Sequence, residues 1–198
     1  MYLYGASGHA KVIIDILRKS EISIIGLFDD NPNIKELYGY PVLGKYETQQ
    51  LDQPLIISIG DNKIRKLISE KVKAFFGKAI YADAIISPSA FIDEGTVVMQ
   101  GAVIQASAII GKHVIINTCA SVDHDCKIGN FAHISPQSSL CGNVEVGEGT
   151  HIGAGATVIP NIKIGKWVKV GAGAVVIHDV PAYTTVVGNP ARVIKQGN

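Results

Sequence analysis

The sequence predicts a small N-terminal α/β domain, Rossmann-like with a parallel sheet, over residues 1–82, followed by a parallel β-helix over 83–198 that ends in a C-terminal tail. Three observations carry this. Every sixth residue from Ile86 is aliphatic: Ile86, Ile92, Val98, Ile104, Ile110, Ile116, Val122, Ile128, Ile134, Leu140, Val146, Ile152, Val158, Ile164, Val170 and Val176, with no insertion breaking the phase. Two residues before each sits a mostly small or β-branched side chain, from Ala84 and Ala90 to Val168 and Ala174. The first 80 residues lack this beat and alternate short apolar runs with helical spacing instead.

In chain order, Tyr2–Tyr4 predicts a strand, Gly5-Ala6-Ser7-Gly8-His9 a turn, and Val12, Ile13, Ile16 and Leu17 the apolar face of a helix. Ile22–Phe28 predicts a second strand ending at Asp29-Asp30, and Leu55–Ile59 a third ending at Gly60. Ile64, Leu67, Ile68, Val72 and Phe75 then recur at helical spacing. Such alternation builds a parallel sheet, and parallel sheets bind ligands beyond the carboxyl ends of their strands. The strand ends here carry Ser7-Gly8-His9, Asp29-Asp30 and Gly60. A Gly-rich turn feeding a helix offers free N–H groups to phosphate, so one reading is a nucleotide-diphosphate site. The other is a tight strand–helix turn beside solvated aspartates. Gly5-x-x-Gly8 is only a fragment of the dinucleotide fingerprint, and no second α/β domain follows to hold a hydride partner.

From Ile86 on, spacing of six suits a strand plus a sharp turn, and three hexads make a triangular coil of eighteen residues. Coils stacked at the usual strand spacing form a prism of about five turns, roughly 25 Å tall. The aliphatic column fills its interior, so stability is collective. Gly95, Gly101, Gly111, Gly129, Gly147, Gly153, Gly165 and Gly171 cluster near the turns, where they are expected to supply backbone conformations other residues resist. Val97, Val103, Ile109 and Ile115 fall on outer faces, where lateral association would bury them.

The phase also sorts the histidines. None is inward. His133 and His151 are eighteen apart and should stack on one outer edge, whereas spacing suggests no partner for His113 or His178. His124 lies on a turn within Ser121-Val122-Asp123-His124-Asp125-Cys126. A neutral imidazole accepts a proton near pH 7, and a flanking carboxylate, Asp123 or Asp125, can hold its tautomer. The plain alternative is a surface histidine among solvated acids. Cys126 points inward by phase, and Cys119 and Cys141 lack a base partner, which argues against a thiol nucleophile.

Composition narrows the classes. Lys+Arg is 18 against Asp+Glu 17, so no strong field draws the chain to nucleic acid or an anionic membrane. No run approaches the ~20 apolar residues that span a bilayer. The start carries no basic, then apolar, leader pattern, and three cysteines cannot pair fully. A reducing, cytoplasmic setting is the expectation.

The rhythm of Ile128-Gly129, Val146-Gly147, Ile152-Gly153, Ile164-Gly165 and Val170-Gly171 resembles that of hexapeptide-repeat acyltransferases, which implies a left-handed β-helix. Asn117-Thr118, Ser121 to Gly129, His133-Ile134-Ser135 and Gly142-Asn143-Val144 together resemble nucleotide-sugar acetyltransferases of the NeuD/PglD type. So do Gly5 to His9, Phe28-Asp29-Asp30, Ile59-Gly60-Asp61-Asn62 with Arg65, and Val187-Gly188-Asn189-Pro190-Ala191. The resemblance covers nearly the whole chain. It implies His124 as general base, oriented by Asp125, where relatives often carry the longer Glu. It implies the Gly142 N–H as the group that polarises a thioester carbonyl, and Asn117, His133 and backbone around Ala154 and Ala172 as contacts for acetyl-CoA. Ser7, Gly8, His9, Asp29, Asp30 and Gly60 would hold the nucleotide sugar. No metal is implied, and a homotrimer with acetyl-CoA between prisms is.

The expected chemistry is direct attack of a sugar amine on the thioester of acetyl-CoA. Transfer to a sugar hydroxyl, as on a sialic-acid-like acceptor, uses the same base and fold. A scaffold or a carbonic anhydrase is the third class; the latter needs three metal-binding histidines, and no third ligand has a spacing compatible with His133 and His151.

Overall fold

The computed structural model describes residues 1–197. The N-terminal part runs β1 (Tyr2–Tyr4), α1 (Gly8–Lys19), β2 (Gly26–Phe28), a small antiparallel pair β3 (Glu36–Leu37) and β4 (Tyr40–Pro41), β5 (Leu55–Ile57) and α2 (Asn62–Lys71). β1, β2 and β5 form a parallel sheet in the order β2-β1-β5. α1 covers it with Ala10, Ile13, Ile14, Ile16 and Leu17, all buried. The second strand is shorter than Ile22–Phe28. Glu21 adopts a left-handed φ of 55° and the Ile22 N–H returns to the Leu17 carbonyl at 2.9 Å, so these residues close α1.

α2 also departs from its apolar spacing. Ile64 and Leu67 are exposed, Phe75 lies beyond the helix end and is exposed too, and the buried residues of α2 are Asn62 and Arg65. The reason is what the helix faces. It meets the backbone carbonyls of a prism corner, which call for hydrogen-bond donors rather than methyl groups.

β6 (Ala79–Ile80) already pairs with Val97–Val98 and opens the prism. Two-residue strands then recur every six residues through Val175–Val176 and pair eighteen residues apart in three parallel sheets of a left-handed β-helix. An eight-stranded face holds β6, Ile115–Ile116, His133–Ile134, His151–Ile152 and Lys169–Val170, and closes with Thr184–Val187 and Arg192–Gln196. A six-stranded face holds Ser121–Val122 and a five-stranded face Lys127–Ile128. The whole inward column from Ile92 to Val176 is buried in one cluster, with Ile86 packed at its end. From Thr96 on the second register is buried as well, including Thr96 and Thr150, whose hydroxyls each donate to a carbonyl and accept an N–H of the next coil.

The corners revise the expectation for glycine. Ordinary residues, among them Ser107, His113, Cys119, Asp125, Phe131, Gln137 and Asn143, occupy the left-handed region there. The glycines after aliphatic residues serve close stacking instead: a Cβ on Gly129 would lie 2.6 Å from the Glu148 nitrogen, and one on Gly153 2.6 Å from the Ala172 nitrogen. Only Gly95 and Gly101 of the set have a positive φ.

The N-terminal domain sits on the eight-stranded face. Val97, Met99 and Ile115 are buried in one cluster with Leu3, Ile13 and Leu17. Val97 and Ile115 are therefore unavailable for lateral association, because the chain covers them itself. Ile109 stays exposed, with Ile85 and Phe91, and Val103 is half-buried. Among the described residues no helix is long and apolar enough to cross a membrane.

Candidate active site

At the strand ends of the α/β domain, Ser7 caps α1 in extended conformation with no side-chain bond, and the first turn holds no acid. The leading N–H groups of a twelve-residue helix are thus open to an anion. A Cβ on Gly8 or Gly60 would meet nothing within 4 Å, so space lies over both. Gly5, by contrast, has a φ of 109° and its added Cβ would lie 2.8 Å from Ile59. Asp29 is half-buried, whereas Asp30 is exposed at the bend. Asp29 accepts from the Ala6 N–H at 2.7 Å and the Asn31 N–H at 2.8 Å, bracing two strand ends. Asp30 accepts from the Tyr4 hydroxyl at 3.0 Å. Burial, then this bond, pushes the Tyr4 hydroxyl up to about 12. His9 is partly buried with Nε2 unpartnered among the described residues. Burial and the nearby Arg65 push it down to about 4.

The eight-stranded face carries an outward column. His133 and His151 pair in register with ring centroids 4.7 Å apart, as the spacing requires. The orientation of Asn117 is fixed, since its Oδ1 accepts the Thr118 N–H at 2.8 Å. Its Nδ2 donates to His133 Nε2 at 3.0 Å. His133 is 9% exposed, and burial, then His151 and Arg65, drive it down to about 3. The neutral ring therefore keeps its proton on Nδ1, which is buried from solvent on the side of the Gly60 backbone. Ala154 and Ala172 are exposed one coil apart on the adjoining corner, where the Gly173 N–H meets the Ala154 carbonyl at 2.8 Å. A cavity of about 1030 Å³ opens between α2 and the upper coils, lined by Gly60, Lys66, His133, His151, Trp167 and Tyr183 among others.

His124 stands on the corner between the six- and five-stranded faces. Its Nδ1–H donates to Asp125 Oδ2 at 2.8 Å, so Asp reaches the ring despite its length, and the backbone N–H of His124 donates to Asp123 Oδ1. Hydrogen bonding to Asp125, then the charge of Asp123, raises the imidazole pKa. The opposite nitrogen, Nε2, lies over Gly142, where an added Cβ would come within 2.6 Å. Among the described residues the Gly142 N–H donates to no acceptor.

The structure thus assembles two groups rather than one. Asn117, His133, His9 and Gly60 gather at the eight-stranded face. His124, Asp125 and Gly142 lie on the corner opposite that face. The sequence names some neighbouring residues but not the contacts they make. His113 is sandwiched between Phe76 and Phe131, at centroid distances of 4.5 and 5.1 Å, and Phe131 is its partner one coil up. The same eighteen-residue step that pairs His133 with His151 would have found it. Ser135 to His151 Nε2, at 2.9 Å, and the buried Asn62 and Arg65 have no periodic signal.

Two family models match: the PglD N-terminal domain over residues 1–72 and the bacterial transferase hexapeptide (six repeats) over 125–160. The fold matches a histidine-to-asparagine mutant of perosamine N-acetyltransferase from Caulobacter crescentus, solved with CoA and GDP-perosamine. That likeness has TM-score 0.91 and 37% identity, over 100% of this chain and 96% of that one. The chain belongs to the hexapeptide-repeat nucleotide-sugar acetyltransferases. Another member of this family, the acetyltransferase domain of PglB from Neisseria gonorrhoeae with acetyl coenzyme A, matches at TM-score 0.89 and 36% identity, over 98% of each chain. UDP-N-acetylbacillosamine N-acetyltransferase of Bacillus subtilis is 43% identical over 107 residues, 49% of this chain and 50% of that protein. The uncharacterized protein L142 of Acanthamoeba polyphaga mimivirus is 38% identical over 101 residues, 21% of its length. The matched region is thus half or less of these two curated relatives. Among the described residues no group of three or more His, Cys, Asp or Glu could hold a metal ion.

Proposed function

We propose that this acetyltransferase moves the acetyl group of acetyl-CoA onto the amine of a nucleotide-linked sugar, with His124 as general base. The observation that carries the assignment is the His124 ring, fixed at Nδ1 by Asp125 with Nε2 free over Gly142. Nε2 takes the amine proton as the C–N bond forms, and the C–S bond breaks to release the CoA thiolate, which takes up a proton. The Gly142 N–H holds the oxyanion; losing one such donor typically costs ~10²–10³ in rate. The α1 N-terminus and the open ground over Gly8 and Gly60 receive the diphosphate, while Asp29 and Asp30 shape the strand ends. Asn117 and His133, with the corner at Ala154 and Ala172, take acetyl-CoA.

The acceptor end and His124 lie on opposite sides of one prism, which supports an active site closed by a second copy in a homotrimer. Three free cysteines fit a reducing, cytoplasmic setting. The test is thiol release from acetyl-CoA against UDP-, GDP- and dTDP-linked amino sugars. The UDP-4-amino sugar is the first choice, because the Bacillus relative is named for a UDP sugar. His124→Ala should lower kcat by about 10²–10⁴. Wild-type turnover in that variant would end the assignment.

A further inference from the structure

The geometry points to Arg65 as a positioning residue that locks the acceptor loop to the coil carrying His133, so that both substrates meet in register. This rests on the acetyl-transfer reading above.

Arg65 is 1% exposed, and every oxygen it meets is neutral. Its Nη1 donates to the carbonyls of Ile59 at 3.0 Å and Gly60 at 3.2 Å, at the mouth of the acceptor site. Its Nε donates to the His113 carbonyl at 2.8 Å, and Nη2 to those of Phe131 at 2.9 Å and Ala132 at 3.4 Å, the residue before His133. Nη2 also reaches Asn62 Oδ1 at 2.8 Å, and Asn62 donates to the Gly149 carbonyl at 3.1 Å. One rigid plane therefore spans two domains, and a guanidinium cannot shift one set of bonds without disturbing the other. Burying a cation on neutral oxygens is costly even with the Asp61 carboxylate nearby to offset part of it, and an apolar side chain would pack a simple domain contact at less expense. The same cation stands beside His9, His113, His133 and His151 and opposes the protonation of each.

The test compares Arg65→Lys and Arg65→Ala with the full-length wild type. It measures kcat and both KM values, and calorimetric binding of coenzyme A and of UDP or GDP. The expected result is a kcat loss of about 10²-fold for Arg65→Ala with both binding constants kept, since a misplacement of about 1 Å has that effect. Arg65→Lys should lose less, and added guanidinium should restore part of the Arg65→Ala rate. If Arg65→Ala does not fold, Arg65→Lys decides. Unchanged kcat, or loss of both binding constants in proportion to the rate, would overturn the role. A wild type inactive on every amino sugar would sink the acetyl-transfer reading instead. Amide exchange at 59–62 and 131–133 would then judge the tie: faster exchange in the variants supports it, and unchanged exchange refutes it.

Discussion

His124 gains its chemistry from two neighbours rather than from burial. Asp125 fixes the tautomer and raises the pKa, with Asp123 second. With His124 as the proposed base, a raised pKa moves the acidic limb of kcat/KM upward, because that base works only when neutral. Asp125→Asn should therefore shift that limb to lower pH, and Asp123→Asn should shift it less. The substitution is clean at position 125, since Asn tolerates the φ of 60° there. A pH–rate profile in which Asp123→Asn has the larger effect would reassign the orienting carboxylate. Gly142→Ala should push the His124 ring aside, given the 2.6 Å approach. The expected outcome is a folded protein with kcat down about 10²-fold or more. The flanking acids were legible in the sequence, but the need for glycine at 142 was not, since it depends on a ring one coil away.

At the scale of elements, the inward hexad predicted the prism because one aliphatic position per turn dictates burial, and the structure buries that column. Ile134→Ala, in mid-column, should cost about 2–5 kcal/mol in urea unfolding. α2 is less legible in the sequence. Its apolar spacing at Ile64 and Leu67 describes an exposed face, and its working face is Asn62 and Arg65, which no hydrophobic period can reveal. The docking corner also carries His113, held at about 4 by burial and then by Arg65. The sign follows from linkage. Its folded pKa lies below the unfolded value of about 6.5, so the unfolded state binds more protons between the two. Stability from this group is present above about 6.5 and is lost as pH falls toward about 4. His9 acts in the same direction over the same window, and His133 extends it to about 3. His113→Phe should lose less stability than wild type between about pH 7 and 5, read as the change in urea midpoint. An equal loss would show that His113 does not contribute.

At the scale of the whole molecule, the α/β domain covers one face and leaves the opposite corner, with His124, in solvent. Sequence phase places each histidine on its face or corner, yet it cannot say which face the N-terminal domain will cover. That choice is made by Val97, Met99 and Ile115. Once it is made, His124 and the proposed acceptor end of the same chain point apart, so the proposed site takes its base and its acceptor end from two copies. The most direct measurement is subunit complementation between His124→Ala and Gly8→Glu, which sets a negative charge in the open space at the α1 N-terminus. Each variant alone should be nearly inactive. Chains unfolded and refolded together should regain about a quarter of wild-type thiol release, because one site in four then pairs an intact base with an intact acceptor end from a neighbour. Mixed chains that assemble yet stay as inactive as either parent would contradict the account.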